Sequence, residues 1–481
     1  MYRAPSKKRQ LLMRIGVYSA MTTGVILLVT FLVFIMLGYR FNRDTSSIQQ
    51  GGLVQFASRP IDASVTVGSA KLTDLTPSKI TMNPGNYDVK MSRQNYKDWS
   101  KNVDVTSGEV LWLNYAQLVP NNITTDQLTK FESVAGVKVS PNGDRFAVLT
   151  DASKPVVTFV DITGDTPKQT TITLPADILP ADKTPTFELL EWANDSDRML
   201  LNMTYDAVVE RIVVDRREVE RTVNVSKKYQ ADITQVTFDT RSSERLIIRS
   251  AAGEVRTIDT SNDSLSSVIA SSVTSMTLFA NDAILLVQTV PAGGQSVGYV
   301  SLGSNEVRVI KQVPSADKTL ISIAKYFSEP YVAISTGSQL DVFKAESLPS
   351  SEADSAISMT NLYTAALPAP VEYLSIRSGG RFVTTQYAGG IQTYDIELNK
   401  QTLTAFKAPV NGELRWLDKY HFYLTTGSNL EVMEFDGGNP HVIAPLATMF
   451  DTTQSDDGKF IYSINSSESG FALQRSRMIL E

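Results

Sequence analysis

The feature that most constrains the fold is a unit of short apolar strands and polar turns that recurs across residues 125–481. Each unit has an apolar strand, a polar turn, a second apolar strand, a short break and a third strand. The equivalent anchor positions are Ser140, Trp192, Phe238, Phe279, Phe327, Ile376, Trp416 and Thr453. Successive anchors are 37 to 52 residues apart, which matches the ~40–50 residues of one four-stranded propeller blade.

The repeats predict a β-propeller, because one unit cannot bury both of its faces, whereas units stacked around an axis can. Eight units fit the available length, and the degenerate middle units leave seven or eight blades open. A linear β-solenoid is disfavoured, since its rungs would be shorter and more regular. The last unit has about three strands, and we expect a strand near residues 127–134 to complete it, because an open edge invites association. The polar stretch 344–370 is predicted to be a loop over one blade junction.

Two units carry a well-defined turn between their first and second strands. The turn residues are Pro141, Asn142, Gly143 and Asp144 in the first unit and Asp456, Asp457 and Gly458 in the last. Asn-Gly and Asp-Gly pairs favour left-handed turn conformations. Both segments resemble the S-P-D-G-K turn of TolB-type propeller repeats.

The N-terminus combines a basic tail with a long apolar run. Residues 1–14 carry no acidic residue and five basic ones, Arg3, Lys7, Lys8, Arg9 and Arg14. Residues 15–39 have no formal charge, and about 20 such residues suffice to cross a bilayer. Only Arg40 and Arg43 follow closely. Because the more basic flank stays in the cytoplasm, we expect a cytoplasmic tail over 1–14, a transmembrane helix over 15–39 and all later residues outside.

A cleaved signal peptide is the competing interpretation of this apolar run. It would need a shorter apolar core and small residues at a cleavage site. Residues 35–40, Ile-Met-Leu-Gly-Tyr-Arg, offer no such pattern, and a lipoprotein anchor would need a cysteine, which the chain lacks. The sequence therefore favours a retained, single-pass signal anchor in the plasma membrane.

After a linker over 40–50, residues 51–119 form brief strands bounded by turn residues. Tyr87, Val89 and Met91 alternate with polar residues, so they are expected to share the buried face of one strand. Several short strands at ~8–12-residue spacing predict a small β-sandwich.

The turn that precedes this strand connects the segment to a known family. Its residues are Asn83, Pro84, Gly85, Asn86 and Tyr87. Thr76-Pro77 precedes the turn and Gly108 follows it, at sequence spacings that fit the pattern of that family. The segment resembles a PEGA domain, a family named for a Pro-Glu-Gly-Ala turn followed by a strand, although the tetrapeptide here is Asn-Pro-Gly-Asn. The resemblance implies a small extracytoplasmic β-sandwich of the kind found on microbial surface proteins, with no catalytic residues.

Composition excludes several kinds of chemistry. The chain has no cysteine and only two histidines, which excludes disulfide scaffolds, cysteine-ligated zinc, iron–sulfur clusters and thiol catalysis. No phosphate-cradling loop, nucleophile elbow, zincin helix or Rossmann fingerprint is present. We expect His421 to be structural, His441 to lie in a solvated loop, and Trp192 and Trp416 to be core residues. The sequence therefore predicts no catalytic residues, no metal site and no cofactor.

Charge narrows the possible partners. The net charge is −6, and without the +5 tail the rest of the chain carries −11. An acidic exterior without a basic stripe argues against nucleic-acid binding and against electrostatic docking on anionic lipid.

The sequence thus predicts an all-β protein with one transmembrane helix, a PEGA-like sandwich and a propeller over 125–481. The expected function is non-catalytic: a membrane-anchored extracytoplasmic binding or scaffold protein whose partner is a protein or a cell-wall glycan. One alternative is a propeller-based hydrolase or lyase acting on envelope glycans or peptides. It would need two convergent carboxylates with shifted pKa values in the channel. A second alternative is an assembly or stress-sensing component whose short tail contacts cytoplasmic machinery.

Overall fold

The computed structural model of the protein divides into two units, Met1–Asn122 with Ile479–Glu481, and Ile123–Met478. We describe each unit by itself. The described residues are 7–42, 47–279, 283–291, 293–301, 303–313, 317–345, 359–376, 379–408, 410–446, 450–467 and 470–480.

The first unit begins with the helix α1 (Lys7–Met36). Its apolar part, Leu11–Met36, has a mean hydropathy of 2.3, and none of it is buried. The helix starts eight residues before the predicted span and ends three residues earlier, where Gly38 adopts a φ of +80° that is typical of a helix terminus. Arg3 lies outside the described residues, whereas the other basic residues of the tail, Lys7, Lys8, Arg9 and Arg14, belong to α1.

The predicted linker over 40–50 is not simply a linker. It contains the hairpin of β1 (Tyr39–Asn42) and β2 (Ser47–Gln50). The Gln50 side chain donates from Nε2 to the carbonyl of Leu37 at 2.9 Å, and the Gly51 N–H donates to the carbonyl of Gly38 at 3.0 Å. The hairpin therefore returns the chain to the end of α1, a pairing that the short polar sequence did not reveal.

The rest of the unit is a two-sheet sandwich, as predicted. Its strands are β3 (Gly52–Arg59), β4 (Ser64–Val67), β5 (Ala70–Leu75), β6 (Ser78–Met82), β7 (Gly85–Ser92), β8 (Trp99–Val105) and β9 (Val110–Gln117). One sheet has the order β6-β3-β9, with β3 and β9 parallel, and the other has the order β5-β4-β7-β8. Phe56, Met91, Trp99 and Leu113 from both sheets meet in one core.

The PEGA-like turn joins β6 to β7. Tyr87 donates from its hydroxyl to the carbonyl of Asn83 at 3.0 Å, which fixes the turn to the strand that follows it. Val89 and Met91 are buried and Tyr87 packs against the same core, so the predicted alternation is confirmed. The Asn86 side chain donates to Asp104 on the neighbouring strand at 2.8 Å.

The second unit contains eight four-stranded antiparallel sheets within its described residues. We number them blades 1 to 8: each of blades 1 to 7 uses four consecutive strands of β11–β38, and blade 8 has the order β10-β41-β40-β39. The strands of the first half are β10 (Thr125–Phe131), β11 (Gly136–Val139), β12 (Arg145–Leu149), β13 (Val156–Asp161), β14 (Lys168–Thr173), β15 (Thr186–Trp192), β16 (Arg198–Tyr205), β17 (Val208–Asp215), β18 (Val223–Asn224), β19 (Ile233–Asp239), β20 (Ser242–Ser250), β21 (Val255–Asp259), β22 (Ser264–Leu265), β23 (Val273–Phe279), β24 (Ala283–Thr289), β25 (Gln295–Ser301) and β26 (Arg308–Val313).

The second half completes blades 5 to 8. Its strands are β27 (Thr319–Tyr326), β28 (Glu329–Thr336), β29 (Gln339–Ala345), β30 (Met359–Ala366), β31 (Val371–Ile376), β32 (Phe382–Tyr387), β33 (Gly390–Asp395), β34 (Lys400–Ala405), β35 (Val410–Trp416), β36 (His421–Thr426), β37 (Asn429–Glu434), β38 (His441–Pro445), β39 (Thr453–Gln454), β40 (Phe460–Ser467) and β41 (Gly470–Arg477). Short helices are α2 (Val225–Lys228) and the 3-10 turns Ala176–Ile178 and Val219–Arg221.

The blades are buried on both faces, which explains why their strands have continuous apolar runs. In β12, Phe146 and Val148 pack against blade 8, whereas Ala147 and Leu149 pack against blade 2. Successive side chains of a strand point to opposite faces, so a run without polar residues requires a neighbour on each side. Similar clusters join blade 2 to blade 3 and each following blade to the next, up to blade 7.

The ring closes through β10, as predicted. This strand pairs with β41, from Thr125 opposite Ser476 to Phe131 opposite Phe471. It starts two residues before the predicted segment and ends three residues earlier. Blades 7 and 8 also meet, since the Thr452 N–H donates to the hydroxyl of Tyr423 at 2.9 Å.

The turns between first and second strands are as predicted, with one correction. Gly143 has a φ of +75°, but Asn142 does not share the left-handed conformation; its side chain instead accepts a hydrogen bond from the Ser140 hydroxyl at 2.7 Å. The blade 8 turn repeats this arrangement with Ser455, Asp457 and Gly458, and the φ of its glycine is +70°. Short polar side chains prefer such local bonds to a strained backbone.

Two further expectations were wrong. His441 begins the strand β38 and does not lie in a solvated loop. The stretch 344–370 includes the end of β29 and the whole of β30, while residues 346–358 lie outside the described residues. Blade 5 needs a fourth strand, and pairing with β29 overrides the polar composition of β30.

We expect the Phe131→Ala substitution to destabilise the propeller by about 3 kcal/mol, because it empties a buried site in the closing strand. Chemical unfolding followed by circular dichroism measures the loss. The matched control is Lys130→Ala, an exposed neighbour in the same strand, which should be nearly neutral. Equal effects of the two substitutions would contradict a closing role for the buried face of β10.

Candidate functional site

The first strands of neighbouring blades contact each other, for example β11 with β15, β15 with β19 and β27 with β31. They therefore form the innermost layer of the ring, where the sequence places the channel. Several charged and amide side chains project from these strands. Their contacts decide whether this layer is a reaction site or a structural one.

Glu191 on β15 is an acid of this layer whose pKa is raised. Burial raises the pKa of Glu191, although a hydrogen bond from the Thr237 hydroxyl (3.0 Å) and another from the Phe238 N–H lower it in part. Both donors lie on β19 of the next blade. The carboxyl group therefore joins blade 2 to blade 3.

Lys138 on β11 is the perturbed base. Burial lowers the pKa of Lys138, and the positive charge of Arg415 lowers it further, against the opposing influence of Glu188, Glu413 and Glu191. The carbonyl of Lys138 accepts a hydrogen bond from the Trp192 indole at 3.1 Å. This residue therefore lies at the junction of blades 1 and 2.

Asp451 joins three blades. It precedes blade 8, forms an ion pair with Arg415 of blade 7 and accepts a hydrogen bond from the Val139 N–H of blade 1 at 3.1 Å. Side-chain to backbone bonds make similar links elsewhere, such as the donation from the Ile376 N–H to the Ser322 hydroxyl at 2.8 Å. Several polar side chains of the innermost layer thus hold neighbouring blades together.

The inner layer does not bring two perturbed carboxyl groups together. Among the described residues, the carboxyl groups with raised pKa values are Glu191 and Asp144. Burial and the charge of Asp456 raise the pKa of Asp144 at its turn, and neither group contributes to the shift of the other. The described part of the chain also holds no group of three histidine or acidic side chains able to bind a metal ion.

A cleft of about 510 Å³ opens between blades 6 and 7. It is formed by β31, the β32–β33 turn and the β34–β35 connection. Its lining residues are Glu372, Gln386, Tyr387, Ala388, Gly389, Phe406, Lys407, Ala408 and Val410. Clefts of this size fit small ligands or a few residues of a larger partner.

The walls of the cleft are fixed by hydrogen bonds. The Gln386 amide donates to the carbonyl of Gly412 at 3.0 Å and accepts from the Leu414 N–H at 2.8 Å. The Phe406 N–H donates to the carbonyl of Gly389 at 3.0 Å. The Gln386 bonds connect blade 6 to blade 7, whereas the Phe406–Gly389 bond lies within blade 6.

The described lining of the cleft combines aromatic and charged groups. Phe406 and the edge of Tyr387, which is 6% exposed, supply aromatic surface. The exposed side chains of Glu372 and Lys407 supply one charge of each sign.

The predicted repeat turns and the cleft lie at opposite ends of the blades. Turns between first and second strands, such as Pro141–Asp144, are at one end, whereas the β32–β33 turn is at the other. The sequence predicted the turns at Pro141–Asp144 and Asp456–Gly458 but not the β32–β33 turn at Gly389-Gly390. It did not reveal which turns and connections border the same opening, because that depends on the packing of blade 6 against blade 7.

The contacts of His421 are those of a structural residue. His421 is 5% exposed, and its Nδ1 lies 2.9 Å from a carboxylate oxygen of Asp418. Burial alone would raise the pKa of Asp418, but hydrogen bonds from His421 and from backbone N–H groups lower it. Trp192 is buried, whereas Trp112 is 45% exposed.

Comparison with known proteins identifies one module. Residues 52–120 match the model of the family described as "PEGA domain". The chain therefore carries a PEGA domain, as the turn sequence predicted. The chain as a whole matches no curated protein in sequence.

The solved structures that are similar to this chain include two that are described as propellers. The β-propeller domain of Cps50 (Swd1) from Myceliophteria thermophila has 12% identity and a TM-score of 0.43, over 67% of this chain and 99% of that chain. The Dos1 propeller has 12% identity and a TM-score of 0.45, over 74% and 95%. An oligogalacturonate lyase in complex with manganese has 11% identity and a TM-score of 0.40, over 73% and 98%. The propeller assignment rests on the eight described blades themselves.

We expect the Glu191→Gln variant to gain stability over the wild type as the pH rises from about 4 to about 8. The folded-state pKa of Glu191 is raised, so its contribution is complete below the unfolded value of ~4.3 and is lost as the pH rises through the folded value. Glutamine keeps the oxygen that accepts from Thr237. Denaturation midpoints at both pH values measure the difference.

The matched control is Glu188→Gln, an exposed position on the same strand. Its stability relative to the wild type should change little over this pH range. A Glu191→Gln variant that loses stability as the pH rises would show that the ionised carboxylate favours the fold.

Proposed function

We propose that this chain is a membrane-anchored protein that displays its propeller outside the plasma membrane and binds another protein or a cell-wall glycan there, without catalysis. The observation that carries the proposal is the apolar helix Leu11–Met36, none of which is buried. An apolar helix of this length without a protein cover requires either a bilayer or removal as a signal sequence.

Charge asymmetry supports the orientation. Five basic residues lie within residues 1–14, before the uncharged run 15–39, and only Arg40 and Arg43 follow that run closely. The more basic flank is retained on the cytoplasmic side. Both β modules come after the helix in the chain, so they would lie on the outer side.

The absence of native cysteine gives a direct test of this topology. Lys8 and Asn305 are exposed, so each can be replaced by a single cysteine in an otherwise cysteine-free chain. We expect a membrane-impermeant maleimide to label Asn305→Cys in cells whose outer layers admit the reagent. The Lys8→Cys variant should be labelled only after the plasma membrane is opened. The reverse pattern would contradict the proposed orientation, and a mature chain that lacks residue 8 would contradict the anchor.

The cleft between blades 6 and 7 supports a binding role. Aromatic walls beside one acidic and one basic side chain suit a peptide segment or a charged glycan, and a pre-formed opening lowers the cost of ordering the site on binding. The PEGA domain adds a module without catalytic residues, which also suits a binding or scaffold protein.

We expect Lys407→Glu to weaken binding to the physiological partner or to purified cell wall by about tenfold, because it reverses a charge at the cleft. Co-sedimentation of the full chain with wall material, or titration with an isolated partner, measures the change. The matched control is Lys168→Glu on β14, an exposed position outside the cleft lining. Equal weakening by both variants would place the binding surface elsewhere.

The alternative function is a hydrolase or lyase that acts on envelope glycans or peptides. Glu191, with its raised pKa, and Lys138, with its lowered pKa, favour it, since acid–base catalysis uses such groups. Turnover of a wall substrate that disappears in Glu191→Gln, without loss of substrate binding, would establish the enzyme and overturn the non-catalytic proposal.

A further inference from the structure

One tryptophan of the PEGA domain has an exposed side chain. Trp112 is 45% exposed, whereas Trp99 of the same unit is 1% exposed. Indole rings are enriched at the boundary between lipid and water, where an apolar ring with one polar N–H group is favoured. The surroundings of Trp112 decide whether it can reach that boundary.

Trp112 belongs to the outward face of the three-stranded sheet. Its neighbours Leu111 and Leu113 turn into the core, so Trp112 points away from it. In the parallel pairing of β3 with β9, Trp112 lies opposite Gln55, and the preceding outward row pairs Leu53 with Val110. The outward pair nearest the start of β3, Leu53 and Val110, is therefore aliphatic, and the next outward pair includes the indole of Trp112.

This end of the sheet is bonded to the end of α1. The Gly51 N–H donates to the carbonyl of Gly38 at 3.0 Å, and the carbonyl of Gly51 accepts from the Gly108 N–H at 3.1 Å. The Leu53 N–H donates to the carbonyl of Glu109 at 2.9 Å. Backbone hydrogen bonds thus link Gly38, just after the helix, to Gly51 before β3, and Gly51 in turn to Gly108 before β9.

Length places this end at the lipid surface. The apolar helix has 26 residues and would extend about 39 Å at 1.5 Å per residue, compared with about 30 Å for the hydrocarbon core. Its C-terminal end therefore reaches the headgroup region when the helix is centred. Ile48, which lies in the hairpin between α1 and β3, is 69% exposed and adds to the apolar surface at this level.

We infer that the outward face formed by Leu53, Val110 and Trp112 rests on the lipid surface beside the helix and fixes the orientation of the PEGA domain on the membrane. The inference rests on the membrane anchoring proposed above. The contact depends on apolar and aromatic groups and needs no basic patch, which agrees with the acidic composition of the chain outside its tail. A lipid occupant is favoured because the bonds from Gln50 to Leu37 and from Gly51 to Gly38 hold the start of β3 beside the residues that follow the helix.

The test uses the full chain reconstituted into phosphatidylcholine vesicles whose acyl chains carry bromine near the headgroup. Bromine quenches indole fluorescence only at close range. We expect quenching in the wild type and loss of that quenching in Trp112→Phe. Because the replaced side chain is exposed, the variant should fold normally. A second variant, Trp112→Tyr, keeps an aromatic ring suited to the interface and should leave the circular dichroism spectrum unchanged.

The outcomes separate this inference from the proposed anchor. Failure of the wild-type chain to float with the vesicles would overturn both. Flotation with equal bromine quenching in the wild type and Trp112→Phe would overturn the lipid contact alone. Trp112 that stays open to aqueous acrylamide in vesicles, and is shielded only when wall glycan or a partner protein is added, would assign the face to that ligand instead.

Discussion

Closure of the ring through the pairing of β10 with β41 is the interaction on which the second unit depends. Every blade buries apolar side chains on both faces, so a first or last blade without a neighbour would expose a complete apolar face to water. The pairing removes that possibility by joining Thr125 to Ser476 and Phe131 to Phe471. Blade 8 is therefore built from both ends of the propeller sequence, and its pairing requires distant segments of the chain to meet.

The same constraint explains the polar groups of the inner layer. The first strands converge there, and polar side chains can bond backbone groups that an adjacent strand leaves unpaired. Asp451 binds Arg415 of blade 7 and the backbone of blade 1, and Glu191 accepts a hydrogen bond from blade 3. Their perturbed surroundings thus follow from the architecture itself. A shifted pKa of a carboxyl group that already binds a neighbouring blade is therefore weak support for catalysis. A shifted carboxyl group with no structural partner would be stronger support.

The sequence was sufficient for the fold but not for the cleft. Periodicity in the apolar runs predicted the blades, and the need to protect an open edge predicted the closing strand. A further regularity was available and was missed: an arginine at or near the start of a second strand binds an aspartate that ends the third. The pairs are Arg145–Asp161, Arg198–Asp215, Arg245–Asp259 and Arg381–Asp395. The cleft could not be predicted, because its lining comes together only when the connections of blade 6 pack beside the first strand of blade 7, where Gln386 bonds to Gly412 and Leu414.

The course of the chain also couples the two units covalently at two places. It passes from the first unit to the second after Asn122 and returns after Met478. On its return, the Leu480 N–H donates to the Tyr96 hydroxyl of the PEGA domain at 2.6 Å. The crossings adjoin the two strands that close the ring, and the bond from the Arg477 N–H to the carbonyl of Thr124 (2.9 Å) holds them together. The two strands that close the ring are therefore also the strands next to which the chain enters and leaves the second unit.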